Sequence, residues 1–185
     1  IVPGRQDLVT EPIVFEGEQV PDFVRALEVP DLRQPGVIVD LGLRPDDGER
    51  PDEVWLTHWP GDRARWDYDR SVPFRRDTAI GLLYAPRQLE AGGRRHLRFT
   101  YGLGSISSTV TKNARLSLAA GGPFRADGRF WLVALVQAPQ AGQQVQVELP
   151  AGLRLAAGHD AEKPVATGRD YSQLSWLIEI DPASL

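Results

Sequence analysis

Residues 138–153 constrain the fold more than any other stretch of this chain. Pro139 and Gly142 sit in an opening turn; Val145, Val147 and Leu149 then alternate with Gln144, Gln146 and Glu148; Pro150, Ala151 and Gly152 close the segment. A period of two puts the three apolar side chains on one face of a strand and the polar ones in water. A strand apolar on one face needs a second layer to cover that face, which is the requirement of an antiparallel sandwich.

The pattern recurs along the chain. Segments 36–43, 53–59, 77–84 and 94–101 are β-rich and separated by Pro/Gly turns, and 114–118, 129–136 and 173–180 continue the series. Leu174, Trp176, Ile178 and Ile180 are in phase, as are Leu97, Phe99 and Tyr101. Ile13, Val14 and Phe15, close to Pro12, read as an edge strand, because proline cannot donate to a ladder. One helix is expected, over 21–28: Pro21 suits a first helical position, Asp22 favours the positive helix start, and Phe23, Val24 and Leu27 share a helical face. Residues 102–111 are small and polar, and the domain boundary is placed there. The expectation is therefore an all-β chain of two antiparallel sandwich units, 1–107 and 108–185, with that one short helix. Four strong strands are visible in the second unit, against the seven or so of an immunoglobulin-like sandwich, so either it is cut short at Leu185 or short strands escape detection.

Composition narrows the function classes. A chain of 185 residues, 42% hydrophobic and 25% charged, can bury a self-sufficient core in either arrangement. Net charge is −4 and basic residues are not clustered, which argues against a nucleic-acid partner. Only Lys112 and Lys163 are lysines among 21 basic residues, a bias read as GC-rich coding. Cysteine is absent, which excludes disulfides, thiolate metal sites and a cysteine nucleophile. There is no 18-residue apolar run to span a membrane. The start at Ile1, Val2, Pro3 and Gly4 suggests a fragment or a processed chain, with any leader or anchor outside it.

No catalytic motif assembles. His58, His96 and His159 are the only histidines, and none has a zinc-ligand spacing. There is no G-x-S-x-G elbow for a serine nucleophile, and Gly102-Leu103-Gly104 lacks the rest of a phosphate loop. Asp46, Asp47 and Glu49, like Asp67 and Asp69, offer hard oxygens but do not match a calcium loop, and read as solvated turn carboxylates. No metal or cofactor is expected. The candidate binding residues are aromatic: Trp59, Trp66 and Tyr68, with His58 beside them and Trp55 on the same strand. Aromatic platforms beside polar groups hold sugar rings by stacking on their apolar faces. The competing view of Trp55 and Trp59 is that they pack in the core, as Trp131 and Trp176 are expected to do.

Five phrases, 20–28, 31–36, 77–84, 99–104 and 138–153, together resemble a group of large exported bacterial proteins, planctomycete-type in character. The resemblance implies a first block that is part of a larger sandwich and a second that looks immunoglobulin-like or adhesin-type. It also implies an extracellular, periplasmic or envelope location, flanking domains, and a protein or glycan surface partner. It carries no activity. The expected function is a non-enzymatic structural or interaction module; the alternative is a carbohydrate-binding module built on Trp55, Trp59, Trp66 and Tyr68.

Overall fold

A computed structural model describes residues 1–45, 47–58, 78–110, 115–121 and 128–181. Among them the chain is all-β, with thirteen strands: β1 (Ile13–Glu16), β2 (Phe23–Leu27), β3 (Ile38–Gly42), β4 (Glu53–His58), β5 (Thr78–Leu83), β6 (Thr100–Leu103), β7 (Ser107–Val110), β8 (Arg115–Gly121), β9 (Arg129–Gln137), β10 (Gln144–Gln146), β11 (Leu153–Leu155), β12 (Glu162–Pro164) and β13 (Tyr171–Ile180). The one helical element among the described residues is a 3-10 turn at Gly17–Gln19. Among the described residues no helix is long and apolar enough to cross a membrane.

Two three-stranded sheets, in the orders β1-β4-β5 and β2-β3-β6, form a first block. Every pairing in them is antiparallel. Phe15, Val20, Val24, Leu41, Leu43, Val54 and Leu56 fill the space between them. A second block has a five-stranded sheet, β11-β13-β9-β8-β7, faced by the ribbon β10-β12. Ala134, Val136, Leu174, Trp176 and Ile178 make its core. Val145, Val147 and Leu149 pack onto that core, while Gln144, Gln146 and Glu148 are exposed. The two turns that bound this segment use Gly142 and Gly152 at φ of 80° and 90°, a conformation that side-chain-bearing residues resist. The chain leaves the first block after β6 and joins the five-stranded sheet at β7.

The helix expected over 21–28 is a strand, β2, paired with β3 from Phe23↔Gly42 to Leu27↔Ile38. The physical reason is burial on both faces. Val24 looks into the first core, while Phe23 and Arg25 on the other face reach the second block. A strand covered on both sides shows no polar/apolar alternation, and a short apolar run of that kind mimics a helical stripe. Eight residues between Pro21 and Pro30 are also too few for a stable helix. Trp176 is 1% exposed, whereas Trp131 is only half-buried and belongs to the seam between the blocks.

Candidate functional site

The seam begins with residues 1–8. The backbone N–H of Arg25 donates to the carbonyl of Ile1 (3.0 Å), and that of Gln173 donates to the carbonyl of Gln6 (2.8 Å). Gln173 Nε2 also donates to the carbonyl of Val2 (2.6 Å). The segment thus bridges β2, an outer strand of the first block, and β13 of the second. Asp7 lies between Arg5 and Arg169, paired with both.

Arg25 is the centre of the seam. Its side chain is 1% exposed. Nε and Nη2 form a two-pronged contact with Asp40 on β3 (2.6 and 2.7 Å). Nη1 donates to the carbonyl of Ser105 (2.9 Å) in the crossover, and Nη2 to the carbonyl of Ala120 (2.7 Å) on β8. One planar guanidinium therefore ties together both strands of a hairpin, the crossover and the opposite block. Arginine suits this better than lysine because its donors lie in a fixed fork matched to a carboxylate. Beside it, Phe23 lies so close to Gly121 that a Cβ there would stand 2.5 Å from the ring. Trp131 Nε1 donates to Asp22 Oδ2 (3.0 Å), and Arg44 pairs with the other oxygen of Asp22. Ile1, Phe23, Leu32, Val133 and Leu135 close the seam with apolar contact.

The aromatic residues fare differently. Trp59, Trp66 and Tyr68 lie outside the described residues. Trp55 is 7% exposed, with Nε1 donating to Glu53 Oε2 (2.8 Å), so it offers no ring face to a sugar. His58 is also buried; it is on the same face of β4 as Leu56, and its Nδ1 has no hydrogen-bond partner among the described residues. Its neighbour Thr57 has an equally unpartnered buried hydroxyl. His96 is exposed. His159 packs edge-on to Trp131, 5.7 Å between ring centres. Burial pushes its pKa below the usual histidine value, and the nearby Lys163 charge adds to that. Lys163 donates to the carbonyl of Ser175 (2.6 Å) and lies over the Trp176 ring, and burial lowers its pKa too. Glu49 pairs with Arg87 and Arg95, and Asp47 with Arg98. Asp46, Asp67 and Asp69 are outside the described residues. Among the described residues no three His, Cys, Asp or Glu side chains come together as metal ligands.

Two clefts open in the first block. One, of about 420 Å³, is lined by Leu8, Val24, Leu27, Leu56 and Ile80. The other, of about 280 Å³, lies along β6 and β5, lined by Val39, Leu41, Ile80, Leu82, Phe99 and Tyr101. Both are mainly apolar, and among the described residues neither gathers a convergent set of unpaired polar groups; Arg25, which borders the first, is committed to Asp40 and the two carbonyls. No protein-family model matches the chain, and no curated protein or solved structure matches it.

Arg25 escaped the sequence reading. Its signal was an arginine in the middle of an apolar run, with an aspartate 15 positions on in a segment that could pair with it. The helical reading of 21–28 concealed that pairing.

Proposed function

We propose that this chain is a non-enzymatic structural and interaction module, a stiff two-block spacer, in an exported or envelope-associated bacterial protein. The observation that carries the reading is the buried Arg25 clamp. A flexible tandem of sandwiches would separate its units with a polar linker and a small wet interface. Here a desolvated guanidinium, an apolar cluster and the 1–8 segment all cross between the blocks. Relative motion of the blocks would leave the Arg25–Asp40 pair within the first block but break the Arg25 hydrogen bond to the Ala120 carbonyl and uncover the contact of Phe23 with Gly121. A hydrogen bond to a charged group contributes about 1.5–3 kcal/mol. That penalty favours a fixed spacing over chemistry that needs opening and closing.

The test is unfolding in urea followed separately in each block, by fluorine labels on the first-block Phe15 and the second-block Trp176. Coincident transitions in the wild-type chain support a single stiff unit. Arg25→Ala should separate them, with the first block melting earlier. Two separate wild-type transitions would remove the basis for the spacer reading.

A further inference from the structure

We propose that the outer edge of β6 is a docking strand for a second copy of this chain, pairing antiparallel about a two-fold axis at Tyr101. The argument begins with the backbone. Among the described residues β6 pairs only with β3, in the register Leu41↔Tyr101 and Val39↔Leu103. The ladder continues with the N–H of Gly104 donating to the carbonyl of Ile38 (2.9 Å). In an antiparallel pair alternate residues direct both backbone groups at the partner. Thr100, Gly102 and Gly104 therefore face β3, and the N–H and C=O groups of Tyr101 and Leu103 point outward, with no strand among the described residues to receive them.

The side chains of those same residues are also uncovered. Phe99, Tyr101 and Leu103 are 53%, 72% and 84% exposed, and all three are large and apolar on one face of the strand. Proteins shield open edges with charge, proline or a covering loop, because an unpaired strand recruits another. The edge strand β1 carries Glu16 and follows Pro12, and the outer side of β2 is met by residue Ile1. From Phe99 to Gly104, by contrast, the sequence has neither a charged residue nor a proline; the edge strand β7 is uncharged as well, but of its residues Ser107, Ser108, Thr109 and Val110 only the last is a large apolar one.

Self-complementarity identifies the occupant. Centring two copies on Tyr101 makes Tyr101 opposite Tyr101, and Phe99 opposite Leu103, with all the outward backbone groups in hydrogen-bonded pairs. Every apolar side chain then meets an apolar one, and no charge meets its like, which matters in a chain of net charge −4. The two sheets would join into one, β2-β3-β6 continued by its symmetry mate, and cross-strand contacts would cover the mouth of the 280 Å³ cleft that Phe99 and Tyr101 line. A heterologous strand needs all of these matches to be supplied from elsewhere.

Sedimentation equilibrium of the whole chain, from about 1 µM to 1 mM, tests this. The mass should rise from one chain to two across that range, and amide exchange at Tyr101 and Leu103 should slow as it does. Tyr101→Lys, which apposes two like charges at the axis, should weaken the dimer about tenfold or more. Tyr101→Pro removes an outward N–H and leaves the β3 ladder whole, so it should abolish pairing while the low-concentration urea midpoint stays in place. Leu89→Lys, at an exposed apolar residue away from β6, should change nothing. A wild-type chain that is monomeric throughout overturns the proposal, even if it captures an unrelated peptide strand. So does a dimer that survives both Tyr101 substitutions with these amides still exchanging freely. Loss of coincident unfolding bears on the spacer reading alone and leaves this result to stand or fall separately.

Discussion

The two blocks solve the same problem with different reserves. In the second, β9 pairs with β13 over nine residues and with β8 over seven, so the middle of its sheet is held by long ladders. In the first the ladders are shorter: β4 pairs with β5 over six residues, β2 with β3 over five, and β3 with β6 and β1 with β4 over four each. Long ladders around a buried tryptophan make a core that needs little from outside. Short ladders over an open cleft do not, and the first block takes its missing cover from the seam: Phe23 against Gly121, Arg25 on the Ala120 carbonyl, and the 1–8 segment on β13. The difference teaches that the blocks are unequal partners, one a base and the other a dependant.

The largest test of that inequality is Trp176→Ala. The side chain is 1% exposed and its Nε1 donates to the carbonyl of Asp160 (2.9 Å), so truncation leaves a cavity and an unpaired carbonyl. We expect a loss of about 3–5 kcal/mol in urea unfolding. If the first block depends on the second, both should unfold together in this variant. A first block that keeps its own transition unchanged would break the comparison.

At the seam the expected effect is smaller and more local. Gly121→Ala drives a methyl group into the Phe23 ring, an overpacking that should cost about 1–3 kcal/mol. Phe23→Leu shrinks the obstacle, so the double variant should recover part of the loss. A double-mutant cycle reads this directly: additivity within about 0.5 kcal/mol would mean that the two residues do not bear on each other.

How much of this was legible in the sequence depended on how many faces a strand buries. Val145, Val147 and Leu149, covered on one side only, alternate cleanly; Leu174, Trp176 and Ile178 alternate too, although β13 is covered on both faces, because its other face carries the polar Gln173 and Ser175 under the seam. β2 is covered on both sides, so its pattern carries no period of two and resembled a helix. β7, made of Ser107, Ser108, Thr109 and Val110, buries neither face and falls in the small, polar stretch where the domain boundary is expected, because hydrophobic periodicity is silent where nothing is buried. β6 misled in another way: Leu97, Phe99 and Tyr101 alternate as core residues do, yet they are 46%, 53% and 72% exposed. Periodicity reports that a face is apolar, and only the structure tells what lies against it. As for the site, Trp55 and His58 are buried in β4 and the other aromatics lie outside the described residues, whereas the Arg25 clamp depends on a strand pairing that no local pattern encodes.

The second block also holds a histidine whose titration bears on its stability. His159 has its pKa lowered from 6.5 by burial and by the Lys163 charge. Between the lowered folded value and 6.5 the unfolded chain binds more protons than the folded one, so this residue makes stability rise with pH through that window and leaves it flat above. His159→Asn should remove that part of the slope in urea midpoints taken from pH 4.5 to 7, a range set by where histidine titrates, at roughly 6.5. An unchanged slope would mean that His159 keeps its ordinary affinity for protons, and the block has no acid-sensitive contact at the Trp131 ring.

The smallest effect tests the outer face. Gln146 lies on the exposed side of β10, opposite Glu162 on β12. Its side chain is exposed, whereas its neighbours Val145 and Val147 pack onto the Trp176 core. Gln146→Ala should therefore shift stability by less than about 0.5 kcal/mol, and Val147→Ala by several times as much. The pair is a check on register, because a slip of one residue in this ribbon would exchange the two faces. A costly Gln146→Ala with a silent Val147→Ala would mean that the ribbon packs the other way up, and the second block would lose its standing as the better-covered half.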